Sequence, residues 1–238
     1  MNEVEFYNQI KELKIILTEE QKKQLNEYAS FLLSYNQHTN LTAIREKEGV
    51  YLKHFYDSLT IVKAFDPTQK YKILDVGTGA GFPGIVLAIC YPNLEIHLLD
   101  SNIKKIKFLQ ELIQKLNLKN VKIIYDRVEI YSIKVMEEYD LLISRAVAEL
   151  RILLETSIQA LKVNGLFIAM KASIQDELEA AKDTIELLNC VVKEVIPFEL
   201  PNQMGIRNII KIEKQKETLK IYPRQYATIL KKTLKKKS

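Results

Sequence analysis

An aspartate stands two residues ahead of three alternating glycines in Asp75-Val76-Gly77-Thr78-Gly79-Ala80-Gly81-Phe82-Pro83-Gly84. Four of the chain's seven glycines fall between positions 77 and 84, a density that ordinary loops do not require. Glycines in such a run let the backbone pass close to a ligand in conformations that a Cβ resists. An apolar run (Ile73, Leu74, Val76) leads into them and another (Ile85 to Ile89) follows. Strand, glycine turn and helix start are how an α/β sheet builds a nucleotide site. Gly79-Ala80-Gly81-Phe82-Pro83-Gly84 also matches G-x-G-x-x-G, and Asp100 follows Gly79 by 21 residues, the spacing of a ribose-binding acid in a dinucleotide site.

The frame that begins at Asp75 leads elsewhere. An acid followed by Gly-x-Gly-x-Gly resembles the first motif of class I S-adenosylmethionine (AdoMet) methyltransferases. A dinucleotide brings a pyrophosphate to the helix N-terminus, and a neighbouring carboxylate repels it. AdoMet has no phosphate and carries a sulfonium and an ammonium, so Asp75 is useful either on the ligand or as a brace for the loop. Pro83 suits a first helical position, where its missing N–H is not needed. Asp100 ends the second apolar run, where it can accept the ribose hydroxyls or cap the next helix. These arguments favour AdoMet and leave an NAD-binding oxidoreductase as the alternative.

The segment Leu142-Ile143-Ser144-Arg145-Ala146-Val147-Ala148 carries neither the Asp/Asn-Pro-Pro-Tyr expected for exocyclic amines nor a Pro-Cys nucleophile. An acceptor that is already nucleophilic suits such a site. Guanine N7 is one, since its lone pair attacks without losing a proton, and alignment of a well-oriented pair can supply about 7–11 kcal/mol. Carboxylate and small-amine acceptors remain open, so a small-molecule methyltransferase is a second alternative and a non-catalytic RNA-binding protein a third.

The elements that must hold these residues alternate. Strands are expected at 72–76, 94–99, 121–125, 139–143 and 165–170, with helices at about 83–91, 102–117, 130–137, 149–162 and 174–189. Two extended segments, 190–198 and 206–213, follow in succession and must pair antiparallel. The expected fold is therefore α/β, a Rossmann-like class I AdoMet-dependent methyltransferase sheet ending in an antiparallel strand pair. Residues 1–66 read as an N-terminal helical extension. Thr18 to Gln21 forms a capping-box pattern, Leu25, Tyr28, Ala29, Leu32 and Leu33 form one stripe, and a polar break is expected at 35–40 before a second helical stretch over 46–63. The AdoMet-binding domain spans 67–213 and a basic tail 214–238.

The net charge of +5 is unevenly placed: nine Lys/Arg stand against one acid from Lys214 onward, leaving 26 basic and 29 acidic residues before it. Such a run is a solvated end or a phosphate-backbone contact. Cys90 and Cys190 lie far apart among apolar neighbours and are expected to be reduced and buried. No metal site, signal peptide or membrane span is expected, and the protein is placed in the cytoplasm as a monomer.

Taken jointly, several blocks resemble the RsmG (GidB) family of bacterial small-subunit rRNA guanine-N7 methyltransferases, over about residues 20–172. They are Tyr35-Asn36-x-x-x-Asn40-Leu41-Thr42-Ala43-Ile44, His54-x-x-Asp57-Ser58-Leu59, Asp75 to Gly84, Leu99-Asp100-Ser101-x-x-Lys104-Lys105-x-x-Phe108-Leu109, Arg127-Val128-Glu129 and Ser144-Arg145-Ala146. The resemblance implies AdoMet as cofactor and, as partner, 16S rRNA or a small-subunit assembly intermediate, with the guanine in the decoding-region loop. It implies that Gly77 and Phe82 bind AdoMet, that Gly79 and Gly81 shape the loop, and that Asp100 meets the ribose. Val128 and Glu129 then lie at the adenine, and Arg145 lies beside AdoMet as a positioning residue with no general base. An ion pair of Arg145 with Asp140 or Glu149 is the structural alternative. Asn40, His54, Lys171, Arg224 and Lys231 are the expected RNA contacts. The chain departs from the family at Tyr35, where Trp is usual, and at Ala172, where Gly is common. It also departs in the C-terminal block, where only Tyr222-Pro223-Arg224, Lys231 and Leu234 survive. Loss of the family's prolines there allows a helix over 223–235 with its lysines along phosphates.

Overall fold

The computed structural model describes residues 1–145 and 147–235; Ala146 of the Ser144-Arg145-Ala146 block and Lys236 and Lys237 of the basic run lie outside the described residues. Strands β1 (Lys72–Val76), β2 (Glu95–Asp100), β3 (Val121–Tyr125), β4 (Tyr139–Arg145), β5 (Leu161–Lys171), β6 (Cys190–Glu199) and β7 (Ile206–Lys214) form one sheet in the order β3-β2-β1-β4-β5-β7-β6. The first five run parallel, and β7 lies antiparallel between β5 and β6, as the two consecutive extended segments require. The sheet's chain order reverses between β1 and β4, so the crevice at their carboxyl ends is where a ligand belongs. β5 starts four residues earlier than expected, because the helix expected over 149–162 stops at Ser157 and gives way to a 3-10 turn, Ile158–Ala160.

Side chains along the strands alternate between two cores, as a period of two dictates. Ile73, Ile96, Leu98, Leu141, Ile143 and Ile168 face one, and Leu74, Val76, Leu99, Leu142, Phe167 and Ala169 face the other. The N-terminal helices share the first core through Phe6, Leu25, Tyr28, Leu32 and Phe55. Thr18 caps the helix Glu19–Thr39 reciprocally, its Oγ1 accepting from the Gln21 N–H at 3.2 Å while Gln21 Oε1 accepts from the Thr18 N–H at 2.9 Å. That helix runs through the expected break at 35–40. Two of the polar residues there bond inward: Thr39 Oγ1 donates to the Tyr35 carbonyl (2.7 Å), and the buried Asn36 amide holds the Thr42 carbonyl (2.8 Å) and N–H (3.1 Å), while Gln37, His38 and Asn40 stay exposed. The second helical stretch is composite, with α turns at Lys47–Val50 and Asp57–Leu59 around a π-helical segment, Tyr51–Tyr56, and a 3-10 end at Thr60–Lys63.

The basic segment from Lys214, the last residue of β7, onward is packed against the sheet domain. Lys214 is fully buried, its Nζ donating to the carbonyls of Ile158 (3.3 Å) and Leu161 (2.8 Å) and pairing with Glu137 (3.1 Å). Tyr222 and Leu234 join the second core. The helix expected over 223–235 is confined to Tyr226–Lys231, because Arg224 is tied to Glu155 on one side and Lys232 is already extended on the other. Among the described residues no helix is long and apolar enough to cross a membrane, and no group of His, Cys, Asp and Glu could hold a metal ion.

Candidate active site

The glycine loop is held from behind. Asp75 is wholly buried under it, and its Oδ2 accepts from the Gly84 N–H (2.8 Å) and the Thr78 hydroxyl (2.6 Å). Burial pushes Asp75 up to about 6, against the pull of those two bonds. Of the two roles open to Asp75, the geometry selects the brace. A Cβ on Gly84 would lie 2.7 Å from that carboxylate oxygen and 2.4 Å from Leu98 Cδ2, so only glycine brings the N–H within reach. Gly77 and Thr78 donate to the Leu99 carbonyl (2.9 and 3.1 Å), which ties the loop to the end of β2. Gly77 has φ +69°, and a Cβ there would stand 2.8 Å from both methyls of Val147. From the far side the buried Tyr28 hydroxyl donates to the Ala80 carbonyl (2.5 Å). Gly81 lies beside Tyr28, beneath the loop with Asp75, and neither residue lines the cleft.

That cleft has a volume of about 1200 Å³ and two ends. One is lined by Gly77, Gly79, Asp100, Val128 and Glu129, all expected cofactor residues. Asp100 is mostly buried and accepts from the Gly79 N–H (3.0 Å) and the Asn102 N–H (2.9 Å), with Lys105 Nζ at 3.4 Å. Oδ2 takes both Gly79 and Lys105, whereas Oδ1 accepts only from Asn102 and keeps acceptor capacity. Glu129 accepts from Arg127 Nε (2.6 Å), and Val128 opens the helix Val128–Lys134, whose ladder does not use its N–H.

The other end is a side-chain network around Arg145, at the end of β4. Its Nη1 donates to Asp57 Oδ2 (3.0 Å) and to the Lys53 carbonyl (3.1 Å), and its Nη2 to His54 Nδ1 (3.2 Å). The alternative partners are engaged elsewhere, Asp140 with Lys162 (2.6 Å) and Glu149 with Arg151 (2.7 Å). The π-helical turn shifts carbonyls out of the regular ladder, and two of them, on Lys53 and His54, face the guanidinium. Arginine can only donate, so His54 Nδ1 is the acceptor and Nε2 carries the proton, donated to Thr42 Oγ1 at 2.8 Å. Burial, and then the Arg145 charge, lower His54 to about 3. Phe82 stacks on His54 (centroids 4.3 Å apart) and on Tyr28 (5.3 Å), with Arg145 Cζ 5.0 Å from its own ring centroid. Asp57 is buried between two arginines, with Arg207 Nε 3.5 Å from Oδ1; burial nonetheless raises its pKa.

Other expected RNA contacts are dispersed. Lys171 lines the cleft but is buried, paired with Glu177 (2.8 Å) and donating to the Ala148 carbonyl. Asn40 is exposed just outside the cleft and accepts from Arg45 Nη2 (2.8 Å). Lys231 is exposed at the end of its helix, whereas Arg224 forks onto Glu155 with two bonds of 2.7 Å, an internal contact where an RNA contact was expected.

The comparisons with known proteins agree with this geometry. Residues 21–209 match the model of the GidB family, described as rRNA small subunit methyltransferase G. The chain belongs to this family. Ribosomal RNA small subunit methyltransferase G of Bacillus cereus (strain B4264) and that of Bacillus thuringiensis (strain Al Hakam) are each 44% identical to it over 231 residues, 96% of this chain and 97% of the relative. Among solved structures, NSun6 from Pyrococcus horikoshii with SFG is similar with a TM-score of 0.55 at 16% identity, over 66% of this chain and 52% of that one. M. jannaschii TYW2 in complex with AdoMet gives 0.52 at 18% identity, over 66% and 76%. At those identities the likeness is one of fold, the class I methyltransferase sheet.

Thr42 and Asp57 stand in the sequence only as residues of the resembling blocks without a site role, and Lys53, Arg207 and Tyr226 carry no expectation there, yet all five line the cleft. Asp57 had a signal, since His54 and Asp57 are spaced to share one helix face. Arg207 and Tyr226 had none, because they arrive from segments distant in sequence.

Proposed function

We propose that this chain transfers the methyl group of AdoMet to N7 of a guanine in small-subunit rRNA. The observation that carries the proposal is that the proton-accepting groups of the acceptor end face cations, including Asp57 Oδ1, which is buried without a hydrogen bond and lies 3.5 Å from Arg207 Nε. His54 Nδ1 accepts from Arg145, and Asp57 lies between Arg145 and Arg207. Such a site suits an acceptor that surrenders no proton. AdoMet supplies, when bound, a methyl group on a cationic sulfur. To the N7 lone pair it would supply that methyl, the C–S electrons staying on sulfur and the positive charge passing to the base, so the residues here would need only to hold and orient the base.

The residues present fit AdoMet. The loop from Gly77 to Gly79 brings backbone to the cleft, Asp100 offers its Oδ1 to a ribose hydroxyl, and the turn at Val128 and Glu129 suits a purine. A carboxylate under the loop, Asp75, disfavours a pyrophosphate and so disfavours NAD. Arg145 does not transfer protons; fixed by four acceptor atoms, it shapes the acceptor end and positions the base. Exposed Lys53 and half-buried Arg207 offer charge to the RNA backbone at the mouth, with Asn40 and Lys231 beyond it. The chain acts as a cytoplasmic monomer on 16S rRNA or a subunit assembly intermediate, with residues 1–66 supplying His54 and Asp57 to the acceptor end and 67–213 supplying Arg145 and Arg207 to it along with the cofactor end.

Mapping 7-methylguanosine in small-subunit rRNA from cells with and without the gene tests this reading. A single guanine that loses its N7 methyl in the deletion is the expected result. An unchanged map, together with RNA-independent methylation of a small molecule by the purified protein, overturns it.

A further inference from the structure

The segment after the sheet reaches the far side of the cofactor end. Tyr226 lines the cleft together with Tyr125, Arg127, Val128 and Ile152. Arg127 Cζ stands 4.9 Å from the Tyr226 ring centroid, and Arg127 Nε donates to Glu129 Oε1 at 2.6 Å. Tyr226, Arg127 and Glu129 thus form a continuous line from the C-terminal segment to the turn after β3. The segment is also fastened in a way that a solvated tail is not. Arg224 forks onto Glu155, a carboxylate only 1% exposed, and its own N–H adds a third bond at 3.1 Å. Arg151 Nη1 donates to the Ile229 carbonyl (2.8 Å), Gln159 Nε2 donates to the Tyr222 carbonyl (2.9 Å), and Ile229 is fully buried. Buried, paired charges require fixed geometry, and here that geometry delivers one aromatic ring to the cleft.

We infer that the C-terminal segment is a wall of the cofactor site, in which Tyr226, steadied by Arg127, covers the adenine end. The inference rests on the reading of Val128 and Glu129 as the adenine turn. A tyrosine there excludes water and offers a π-face to any purine. The divergence of this segment from the family's pattern then falls on a piece of the cofactor site.

The test is a calorimetric titration of the full-length protein and of Tyr226→Ala, Tyr226→Phe and Gly77→Ala with AdoMet and with adenosine. The salt dependence of RNA binding is measured in parallel, and a melting curve checks that each variant is folded. Tyr226→Ala is expected to bind both ligands about tenfold more weakly, the scale of one aromatic–base contact. Tyr226→Phe keeps the ring and is expected to stay within about twofold of wild type, and the slope of log K against log salt should not change. If Tyr226→Ala binds AdoMet like wild type while Gly77→Ala does not, the wall is refuted and the cofactor reading stands. If both variants bind like wild type, the cofactor reading fails and takes the wall with it. A folded Tyr226→Ala with unchanged AdoMet affinity and a shallower salt slope would assign the segment to RNA instead.

Discussion

The two ends of the cleft are built by opposite means. At the cofactor end the backbone does the shaping: glycines at positive φ, N–H groups tied to Asp75 and Asp100, and a loop drawn from one contiguous stretch. At the acceptor end side chains do it, brought from the π-helical segment and the α turn that follows it, the end of β4 and the start of β7. A site made of backbone is sensitive to any added atom. A site made of buried charges is sensitive to any removed one.

Removing a charge is the harsher test. Asp57 is 6% exposed and bonded to Arg145, with Arg207 alongside, so Asp57→Ala leaves two guanidinium groups facing each other without their shared anion. Breaking a buried pair from one side costs about 3–5 kcal/mol. We expect a loss of stability on that scale in urea denaturation and loss of methyl transfer. AdoMet affinity of the protein that remains folded should fall less than about threefold, since the cofactor end shares no bond with Asp57. A large loss of cofactor affinity in folded protein would show that the two ends are not separately built.

Adding an atom comes next. Gly77→Ala introduces a Cβ 2.8 Å from both Val147 methyls at a φ of +69°. The left-handed conformation alone costs roughly 1–2 kcal/mol for a residue with a Cβ. With the contact added, AdoMet affinity should fall about a hundredfold, or 2.7 kcal/mol. Calorimetry reads this directly, and unchanged affinity would remove the loop from the cofactor site.

The same contrast decides what was legible in the sequence. The glycine loop was, because its chemistry is local: Asp75, the glycines and Asp100 belong to two adjacent strands and the turn after one of them. The strand order and the antiparallel end followed from periodicity and from two strands without a helix between them. The acceptor end was legible only in fragments. Arg145 and His54 could be named from the resemblance, but their bond to each other joins residues 91 positions apart. Charge counting misled at the C-terminus, where Lys214 and Arg224 look like tail cations and are internal partners of Glu137 and Glu155. A side chain's charge is visible in a sequence, but whether it faces solvent or another charge depends on packing between distant segments.

The pH response sharpens the comparison, because burial displaces His54 at the acceptor end downward and the carboxyls of Asp75 at the cofactor end and Asp57 at the acceptor end upward. His54 sits at about 3, below its ordinary 6.5. Over that interval the unfolded chain binds a proton that the folded one refuses, so the stability held by neutral His54 is complete above 6.5 and is lost as pH falls. Asp75 sits at about 6, above its ordinary 3.8; the folded state binds the extra proton, so its contribution is present below 3.8 and lost as pH rises through 6. Between 3.8 and 6 the two slopes oppose each other. His54→Gln removes one of them and should gain stability relative to wild type as the pH is lowered, by at most about 1.4 kcal/mol per pH unit. Denaturation curves that shift in parallel for both proteins across this range would show that His54 is not held neutral.

The smallest effect is expected where the two ends meet. Tyr28 comes from the N-terminal helix but serves both, its hydroxyl on the Ala80 carbonyl of the loop and its ring against Phe82, which stacks on His54. Tyr28→Phe keeps the ring and leaves the Ala80 carbonyl without this donor. One lost hydrogen bond between neutral groups is worth about 1 kcal/mol, which in a chain of this length lowers the melting midpoint by about 2–4 °C. If Asp75 and the Leu99 carbonyl suffice to hold the loop, AdoMet affinity should change less than about threefold. A tenfold loss would mean that the loop depends on a side chain from the acceptor half for its shape. The cofactor end would then be no more backbone-made than its counterpart, because a hydroxyl 52 residues away would be part of its frame.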